Sequence, residues 1–277
     1  MSMTLQFLGT GTSTGVPMIG CRCAVCTSSD PRDRRRRSGL HVEADGTSFV
    51  IDTPPEFRLA CVELGITRVD AVLFTHAHVD HTAGFDDIRR FNTINGAVPM
   101  RAYGAPETLD AVKAMFPYVT AKPNGLGLFR PMIEFEPVGR RFRMGSCEVS
   151  PFRVEHGPVR TNGYRVDSPS GSFAYAPDCI RIPPESVRRI RGVDVFVVDC
   201  LRLRPHPTHM GLDEALAAVE AVRPGRAFLT HLCHDVLHAD LERMLPPGVR
   251  PAYDGLVVRV DSKRRRGPAA ARKGDER

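Results

Sequence analysis

Short apolar runs alternate along the chain with segments of helical spacing, and polar or glycine-rich loops separate them. Runs with the length and β-branching of buried strands lie at 5–8, 40–42, 48–51, 69–73, 100–103, 147–154, 163–166, 172–176, 193–198, 226–229 and 256–260. Helical patterns lie at 55–64, 85–94, 106–115, 212–222 and 238–244. No sharp linker divides this series, so we predict one domain over residues 1–261.

The apolar run at 69–73 leads into four potential metal ligands within six residues: His76, His78, Asp80 and His81. Residues two apart in an extended chain point the same way, so His76 and His78 face one point. Asp80 and His81 follow where the chain must turn, and their side chains can reach a second point nearby. Imidazole suits Zn²⁺ or Mn²⁺, and a carboxylate adds a hard, charge-compensating oxygen. A polar loop at a strand end is the alternative, but this density of ligands predicts a metal site.

A second group of potential ligands consists of three thiols within six residues, at Cys21, Cys23 and Cys26. The first strand-like run follows residues 1–3 directly and leaves no room for a signal peptide, so we expect a cytoplasmic protein. In a reducing compartment, clustered thiols are typical of a structural zinc site, with free or redox-active cysteines as the alternative. The fourth zinc ligand must come from another part of the chain.

The composition is that of a soluble globular protein with a sizeable core, since 42% of the 277 residues are hydrophobic and 25% are charged. No apolar run approaches the roughly 20 residues of a membrane span. Most of the net charge of +6 lies at 262–277, which we predict to be a basic, disordered and solvated tail. The arginine run at 32–37, broken by Asp33, is typical of a solvated loop and less often of a phosphate-attracting rim.

The order His76-x-His78-x-Asp80-His81 after an apolar strand resembles the signature of the metallo-β-lactamase fold superfamily. The resemblance implies an α/β (α+β) fold, a four-layer αββα sandwich with metals held by loops at one edge. It implies two divalent cations, Mn²⁺ or Zn²⁺, that hold a bridging hydroxide and clamp a phosphodiester. The implied ligands form two groups with one residue between them: His76, His78 and His156; Asp80, His81 and His231; and Asp178 as the bridge.

The Cys21-x-Cys23-x-x-Cys26 loop and the segment around His209 together resemble a narrower family, the phosphoribosyl 1,2-cyclic phosphodiesterases of the carbon–phosphorus lyase pathway. In that family a histidine in the order of His209 assists the leaving oxygen, and His206 is the local competitor here. The family closes its three-thiol zinc site with a histidine that matches His234, with Cys233 as the alternative. The implied reaction is hydrolysis of a small, cyclic phosphodiester by the metal-bridging hydroxide, and Asp80 and His209 are the expected catalytic residues.

Two other functions share part of this pattern. A transfer-RNA 3′-processing nuclease has the same seven ligands but carries a long RNA-binding arm, and no insertion of that composition is evident here. A catalytically silent zinc-binding relative in quinone-cofactor biosynthesis keeps the thiol loop but lacks active-site ligands, which are complete in this chain. We therefore expect a small-molecule phosphodiester as the partner, and neither nucleic acid nor a membrane.

Some features stay open at the level of sequence. No sugar-binding side chain can be assigned, so another small cyclic or linear phosphodiester remains a candidate substrate. The identity of the catalytic metals and the oligomeric state, a homodimer included, are also open. Asp52 at a strand end is expected to support the histidines or, alternatively, to cap a turn. Residues 116–131, rich in proline and glycine, predict a mobile loop over one side of the site.

Overall fold

The computed structural model describes residues 2–120 and 130–260, whose strands form two sheets that pack face to face. The first sheet contains β1 (Met3–Gly9), β2 (Gly39–Ala44), β3 (Thr47–Ile51), β4 (Ala71–Leu73), β5 (Met100–Gly104), β6 (Ile133–Pro137) and β14 (Val257–Val260). The second contains β7 (Phe142–Met144), β8 (Cys147–His156), β9 (Val159–Ser168), β10 (Gly171–Ala176), β11 (Val195–Asp199), β12 (Arg226–Thr230) and β13 (Val249–Pro251). The strand orders are β14-β1-β2-β3-β4-β5-β6 and β13-β12-β11-β10-β9-β8-β7.

Each sheet combines an antiparallel part with a parallel part. In the first sheet β14, β1, β2 and β3 pair antiparallel in that order, and β3 to β6 continue as parallel neighbours. In the second sheet β7 to β10 are antiparallel, and β10 to β13 are parallel. The two halves of the chain therefore have similar topologies, and β14 returns to the edge of the first sheet.

Helices cover the outer faces of the two sheets. They are α1 (Phe57–Glu63), α2 (Val79–Thr82), α3 (Arg89–Ile94), α4 (Pro106–Met115), α5 (Pro117–Thr120), α6 (Pro184–Ile190), α7 (Leu212–Val222) and α8 (His238–Met244), and 3₁₀ turns lie at Pro31–Asp33 and Phe85–Ile88. None of the helices within the described ranges is both long enough and apolar enough to cross a lipid bilayer.

The alternation of side chains along the strands explains the layers. In β10, Phe173 and Tyr175 pack between the sheets, whereas Ala174 and Ala176 belong to the outer cluster that also contains residues of α6, α7 and α8. A third cluster joins α1 and α4 to the outer face of the first sheet. Because β11 is buried on both faces, its sequence is a continuous apolar run up to Asp199. The predicted four-layer αββα sandwich is confirmed.

Departures from the predicted elements are local. The helix predicted at 85–94 is a 3₁₀ turn followed by α3, and the strands β6, β7 and β13 are too short or too polar for a periodic pattern. Within the predicted loop at 116–131, the segment Pro117–Thr120 is helical. Residues 121–129 of that loop, like the predicted tail at 262–277, lie outside the described residues.

The arginine run is not a uniformly solvated loop. Arg35 and Asp33 are 1% and 3% exposed, and they form an ion pair with 3.2 Å between Nη2 and Oδ1. The other arginines of the run keep to the expected pattern, since Arg36 and Arg37 pair with carboxylates near the surface. A charge pattern does not show which member of a run is buried, because burial depends on partners distant in sequence.

Candidate active site

Six strands end at one edge of the sandwich, and a polar side chain stands at or just after each end. These are Asp52 after β3, the 75–81 segment after β4, His156 ending β8, Asp178 after β10, Asp199 ending β11 and His231 after β12. Since β10, β11 and β12 are parallel, and β3 and β4 are parallel, their carboxyl ends meet at the same edges. Residues more than 150 positions apart are brought together in this way.

Three imidazoles, those of His76, His78 and His156, form the first cluster. His76 Nε2 lies 2.9 Å from His78 Nδ1, and His156 Nε2 lies 3.3 Å from the same nitrogen. His156 Nδ1 donates to the carbonyl of Thr208 at 3.0 Å, so the lone pair of this ring is on Nε2. Three nitrogens this close together could hold one metal ion.

The second cluster consists of Asp80, His81 and His231, with Asp178 beside it. Asp80 Oδ2 lies 3.4 Å from His81 Nε2 and 3.8 Å from His231 Nε2. Asp178 directs Oδ2 to His81 Nε2 at 2.7 Å and Oδ1 to His231 Nε2 at 3.0 Å. Its carboxylate also lies within 4.8 Å of the ligand atom of His76, which belongs to the first cluster. A carboxylate between the two clusters is placed to bridge two cations.

Asp52 supports both clusters from behind. Its buried carboxylate accepts from the backbone N–H and the hydroxyl of Thr75, each at 2.8 Å, and from His81 Nδ1 at 2.8 Å. Because the Thr75 hydroxyl donates to Asp52, it accepts from His76 Nδ1 at 2.9 Å. Both imidazoles are thereby turned with Nε2 toward the site, as outer carboxylates commonly orient metal-binding histidines. Asp52 has a φ of 65°, a conformation that is uncommon outside glycine and often found at functional sites.

Burial and the carboxylates act in opposite directions on these rings. Burial lowers the pKa of His76 well below its ordinary value, and the neighbouring His81 adds to that effect. Burial also disfavours charge on His81 and His231, but the surrounding carboxylates, Asp178 foremost, together outweigh it; they raise the pKa of His81 well above its ordinary value and the pKa of His231 to about 10. A bound cation would displace these protons, because imidazole ligands must be unprotonated.

Several buried atoms here make no hydrogen bond of acceptable geometry within the described ranges, although His81 Nε2 and His231 Nε2 lie close to the Asp178 carboxylate; they are His81 Nε2, Asp178 Oδ2 and both ring nitrogens of His231. Buried polar atoms without a hydrogen bond are rare in folded proteins. Imidazole nitrogen and carboxylate oxygen gathered around common points are the donor set of Zn²⁺ and Mn²⁺ sites. The residues present therefore fit divalent cations.

His209 lies beside both clusters. Its ring centroid is 4.8 Å from that of His156, and it stacks on His231 at 4.8 Å with 12° between the planes. Nδ1 of His209 lies 2.8 Å from Asp199 Oδ2, so Nε2 is the ring nitrogen that is directed away from this carboxylate. His206 is 5.2 Å from His209 between ring centroids, and its Nδ1 accepts from the Thr208 N–H at 3.4 Å. His206 thus makes a loop contact next to the site.

The three thiols of the amino-terminal loop converge on His234. The distances from its Nδ1 to the sulfurs of Cys21, Cys23 and Cys26 are 3.2, 3.4 and 3.6 Å. A hydrogen bond from the Cys26 backbone N–H lowers the pKa of Cys23 to about 6. These four residues form a group that could hold a metal ion, and Cys233 is not in it. Three thiolates and an imidazole are a donor set of closed structural zinc sites.

Asp199 and Thr75 have roles that the sequence pattern does not indicate. In the sequence, Asp199 directly follows the apolar run at 193–198, and Thr75 directly precedes the histidine motif. One signal was available: a carboxylate that ends a fully apolar run is buried with it, and a buried charge needs a partner. Thr75 offers no comparable signal, because its hydroxyl bonds Asp52, and the sequence does not show that these two residues lie close together in the fold.

Comparison with known families adds an independent finding. Residues 47–232 match the family described as the beta-lactamase superfamily domain. That interval contains all seven residues of the two clusters and of the carboxylate between them. The thiol loop and His234 lie outside it.

Three similar proteins illustrate the range of relatives. The solved structure of a diphosphatase from the PhnP family has a TM-score of 0.85 and 38% identity, covering 94% of this chain and 97% of that one. An octanoyltransferase of Porphyromonas gingivalis is 34% identical over 94% of this chain and 52% of the relative, so the chain spans about half of its length. Zn²⁺-bound PqqB of Methylobacterium extorquens has a TM-score of 0.73 at 20% identity, covering 92% and 99%, which shows a shared fold.

Proposed function

Because this chain belongs to the beta-lactamase superfamily and is a metal-dependent hydrolase, we propose that it cleaves a small phosphodiester. The leading candidate is a cyclic phosphodiester such as a phosphoribosyl cyclic phosphate. In that reaction water adds to phosphorus and one phosphorus–oxygen ester bond breaks. Similarity to a diphosphatase over nearly the whole chain supports chemistry at phosphorus.

The observation that carries this proposal is the position of Asp178. Its two carboxylate oxygens face His81 at 2.7 Å and His231 at 3.0 Å, and the same side chain is next to His76 of the other cluster. A carboxylate at this position, rather than a cysteine or serine, favours a phosphoesterase-like or glyoxalase-like site over an antibiotic-hydrolysing one, and the sequence Glu155-His156-Gly157 does not resemble that of glyoxalases. Its negative charge offsets only part of the positive charge of two divalent cations, and the positive charge that remains attracts an anionic substrate.

We assign the two clusters to two divalent cations, Mn²⁺ or Zn²⁺. His76, His78 and His156 would hold one, Asp80, His81 and His231 would hold the other, and Asp178 would touch both. When bound, such a pair of cations lowers the pKa of a water molecule toward neutrality and holds the oxygens of a phosphodiester. Asp52 keeps His76 and His81 in the tautomers that direct Nε2 to the site.

His209 is the proposed proton donor to the leaving oxygen. Its Nδ1 is held by Asp199, so a proton on Nε2 points away from that carboxylate. An alkoxide is a poor leaving group, and proton transfer to it from a positioned imidazole lowers the barrier. Asp199 itself stays in place, because its Oδ2 also accepts from the Cys179 N–H at 2.8 Å.

The proposal includes one structural Zn²⁺ held by Cys21, Cys23, Cys26 and His234, a cluster outside the catalytic one. It also includes a cytoplasmic location, which is supported by the finding that none of the eight cysteines, all of them within the described ranges, forms a disulfide bond. A small substrate, rather than RNA, fits the lack of an arm in the described parts of the chain.

A substrate panel tests the proposal. Protein loaded with Mn²⁺ or Zn²⁺ is assayed on cyclic ribose phosphates, linear alkyl diesters, an aryl phosphodiester and a precursor transfer RNA with a 3′ trailer. We expect the highest kcat/KM on a small cyclic diester and measurable turnover of the aryl diester. A preference for the RNA, or turnover of no diester at all, would overturn the assignment.

A further inference from the structure

The guanidinium of Arg35 is fully buried at the point where the amino-terminal loop meets the segment after β12. Its Nη1 donates to the carbonyl of Cys233, and Nη2 donates to the carbonyl of Val236 at 2.9 Å and to Asp33 Oδ1 at 3.2 Å. One side chain thus binds two backbone carbonyls that lie about 200 positions further along the chain. A planar guanidinium suits this task, because its donors are fixed in a fork.

Asp33 extends the same contact. Its Oδ1 accepts from the backbone N–H of His238 at 2.7 Å, and its Oδ2 accepts from the hydroxyl of Ser28 at 2.6 Å. Ser28 follows the thiol loop by two residues, and His238 begins α8. The ion pair therefore connects the thiol loop, the carbonyls of the segment and the following helix in one buried network.

The carbonyl held by Arg35 lies between the ligands of two sites. It belongs to the peptide that joins Cys233 to His234, and His234 is in the thiol cluster. Two residues earlier, His231 faces Asp178 with a φ of 61°, a backbone conformation that non-glycine residues seldom adopt. Such a conformation persists only where the surrounding structure stabilises it. The next residue is also fixed, because the backbone N–H of Leu232 donates to the carbonyl of Thr10 at 2.9 Å.

On the basis of the metal sites proposed above, we infer that Arg35 is a positioning residue that couples the thiol–zinc site to the catalytic cations. The zinc fixes His234, and Arg35 fixes the carbonyl of Cys233. Because His231 lies only two residues before Cys233, these two fixed points set the direction of its side chain. Occupancy of the thiol site by zinc thereby strengthens cation binding at the second catalytic cluster, and Arg35 is required for that effect.

The test is a cycle of four proteins: wild type, Arg35→Lys, Cys23→Ser and the double variant. Lysine keeps the charge but cannot reach two carbonyls and Asp33 together. The probe is Mn²⁺, and its affinity for the catalytic site is measured from free Mn²⁺ by electron paramagnetic resonance. Arg36→Lys is the matched control, since the Arg36 side chain pairs with Glu63 near the surface.

We expect Arg35→Lys to weaken Mn²⁺ binding by about 10- to 100-fold in protein that holds the thiol-site zinc, as outer partners of metal ligands commonly do. In the Cys23→Ser background the same change should matter little, whereas Arg36→Lys should bind Mn²⁺ like wild type. A merely structural role would lower stability without making the effect depend on zinc. The inference would be overturned if Arg35→Lys weakened Mn²⁺ binding by the same factor with and without the Cys23→Ser substitution, or if Arg35→Lys bound Mn²⁺ like wild type.

If Cys23→Ser does not fold, the comparison of the two backgrounds is replaced by a measurement of the rate at which zinc passes from the protein to a chelator. The inference then requires zinc to leave Arg35→Lys faster than Arg36→Lys, and equal release rates contradict it. A wild-type protein that binds Mn²⁺ normally but hydrolyses no phosphodiester would contradict the proposed function alone, since the coupling is measured without turnover.

Discussion

Nδ1 of His209 lies 2.8 Å from Oδ2 of Asp199, and this contact decides which nitrogen of the imidazole faces the carboxylate. Asp199 is fully buried at the end of β11, and the Cys179 N–H donates to the same oxygen. Burial raises the pKa of Asp199, while its hydrogen bond with His209 acts in the opposite direction. The pair therefore fixes His209 by geometry, with Nε2 directed away from the carboxylate.

His209→Ala should keep all metals and lose about 10²- to 10⁴-fold in kcat on a substrate with an alkoxide leaving group, the usual scale of general acid–base assistance. An aryl diester, whose leaving group needs less protonation, should be affected less. Metal content by elemental analysis and kcat on both substrates check this. Equal losses on the two substrates, or loss of metal, would remove His209 from the role of proton donor.

Asp199→Asn should lower activity less than His209→Ala, because the imidazole remains but loses its carboxylate partner. If Asp199 acts only through His209, the double variant should be no slower than His209→Ala alone, since effects on one unit are not additive. Steady-state rates of the three variants on one alkyl diester measure this. A further tenfold loss in the double variant would give Asp199 a separate role.

Asp178→Ala should lose catalytic cations and activity while the protein remains folded. The side chain contacts His81 and His231 and lies within 4.8 Å of the ligand atom of His76, so its removal should weaken both sites rather than one. Elemental analysis, circular dichroism and turnover are measured on the same sample. Full activity in this variant would exclude Asp178 as a bridging ligand.

Cys23→Ser should lower thermal stability sharply and remove one zinc per chain, because a structural zinc contributes directly to folding. Cys233→Ser is the matched control: Cys233 is adjacent to His234 but lies outside the thiol cluster. The control should retain its zinc. Unchanged zinc content and midpoint temperature in Cys23→Ser would mean that the loop is redox-active or idle.

The sequence was most informative where ligands are local. The spacing of His76, His78, Asp80 and His81 predicts two facing points, because alternation in an extended chain is a local property. The fold followed from the resemblance of that motif, and the structure has the expected sandwich. In the structure His231 faces Asp178 and His234 faces the three thiols, although the two histidines are only three residues apart.

What the sequence did not provide depends on contacts between distant segments. Arg35 reads as one of several solvated arginines, and only the approach of Cys233 and Val236 shows it to be buried. Asp199 reads as a strand end until His209 is placed beside it. In both cases the chemistry is set by a partner that neither periodicity nor spacing identifies.

The most direct test of the account is turnover of an aryl phosphodiester as a function of cations bound per chain. Protein that retains the thiol-site zinc but lacks catalytic metal is titrated with Mn²⁺, while bound Mn²⁺ and rate are measured together. The account predicts that activity appears as the two catalytic sites fill, and that Asp178→Ala stays inactive at the same total Mn²⁺. Full turnover with the thiol-site zinc alone, or no turnover with both catalytic sites filled, would contradict it.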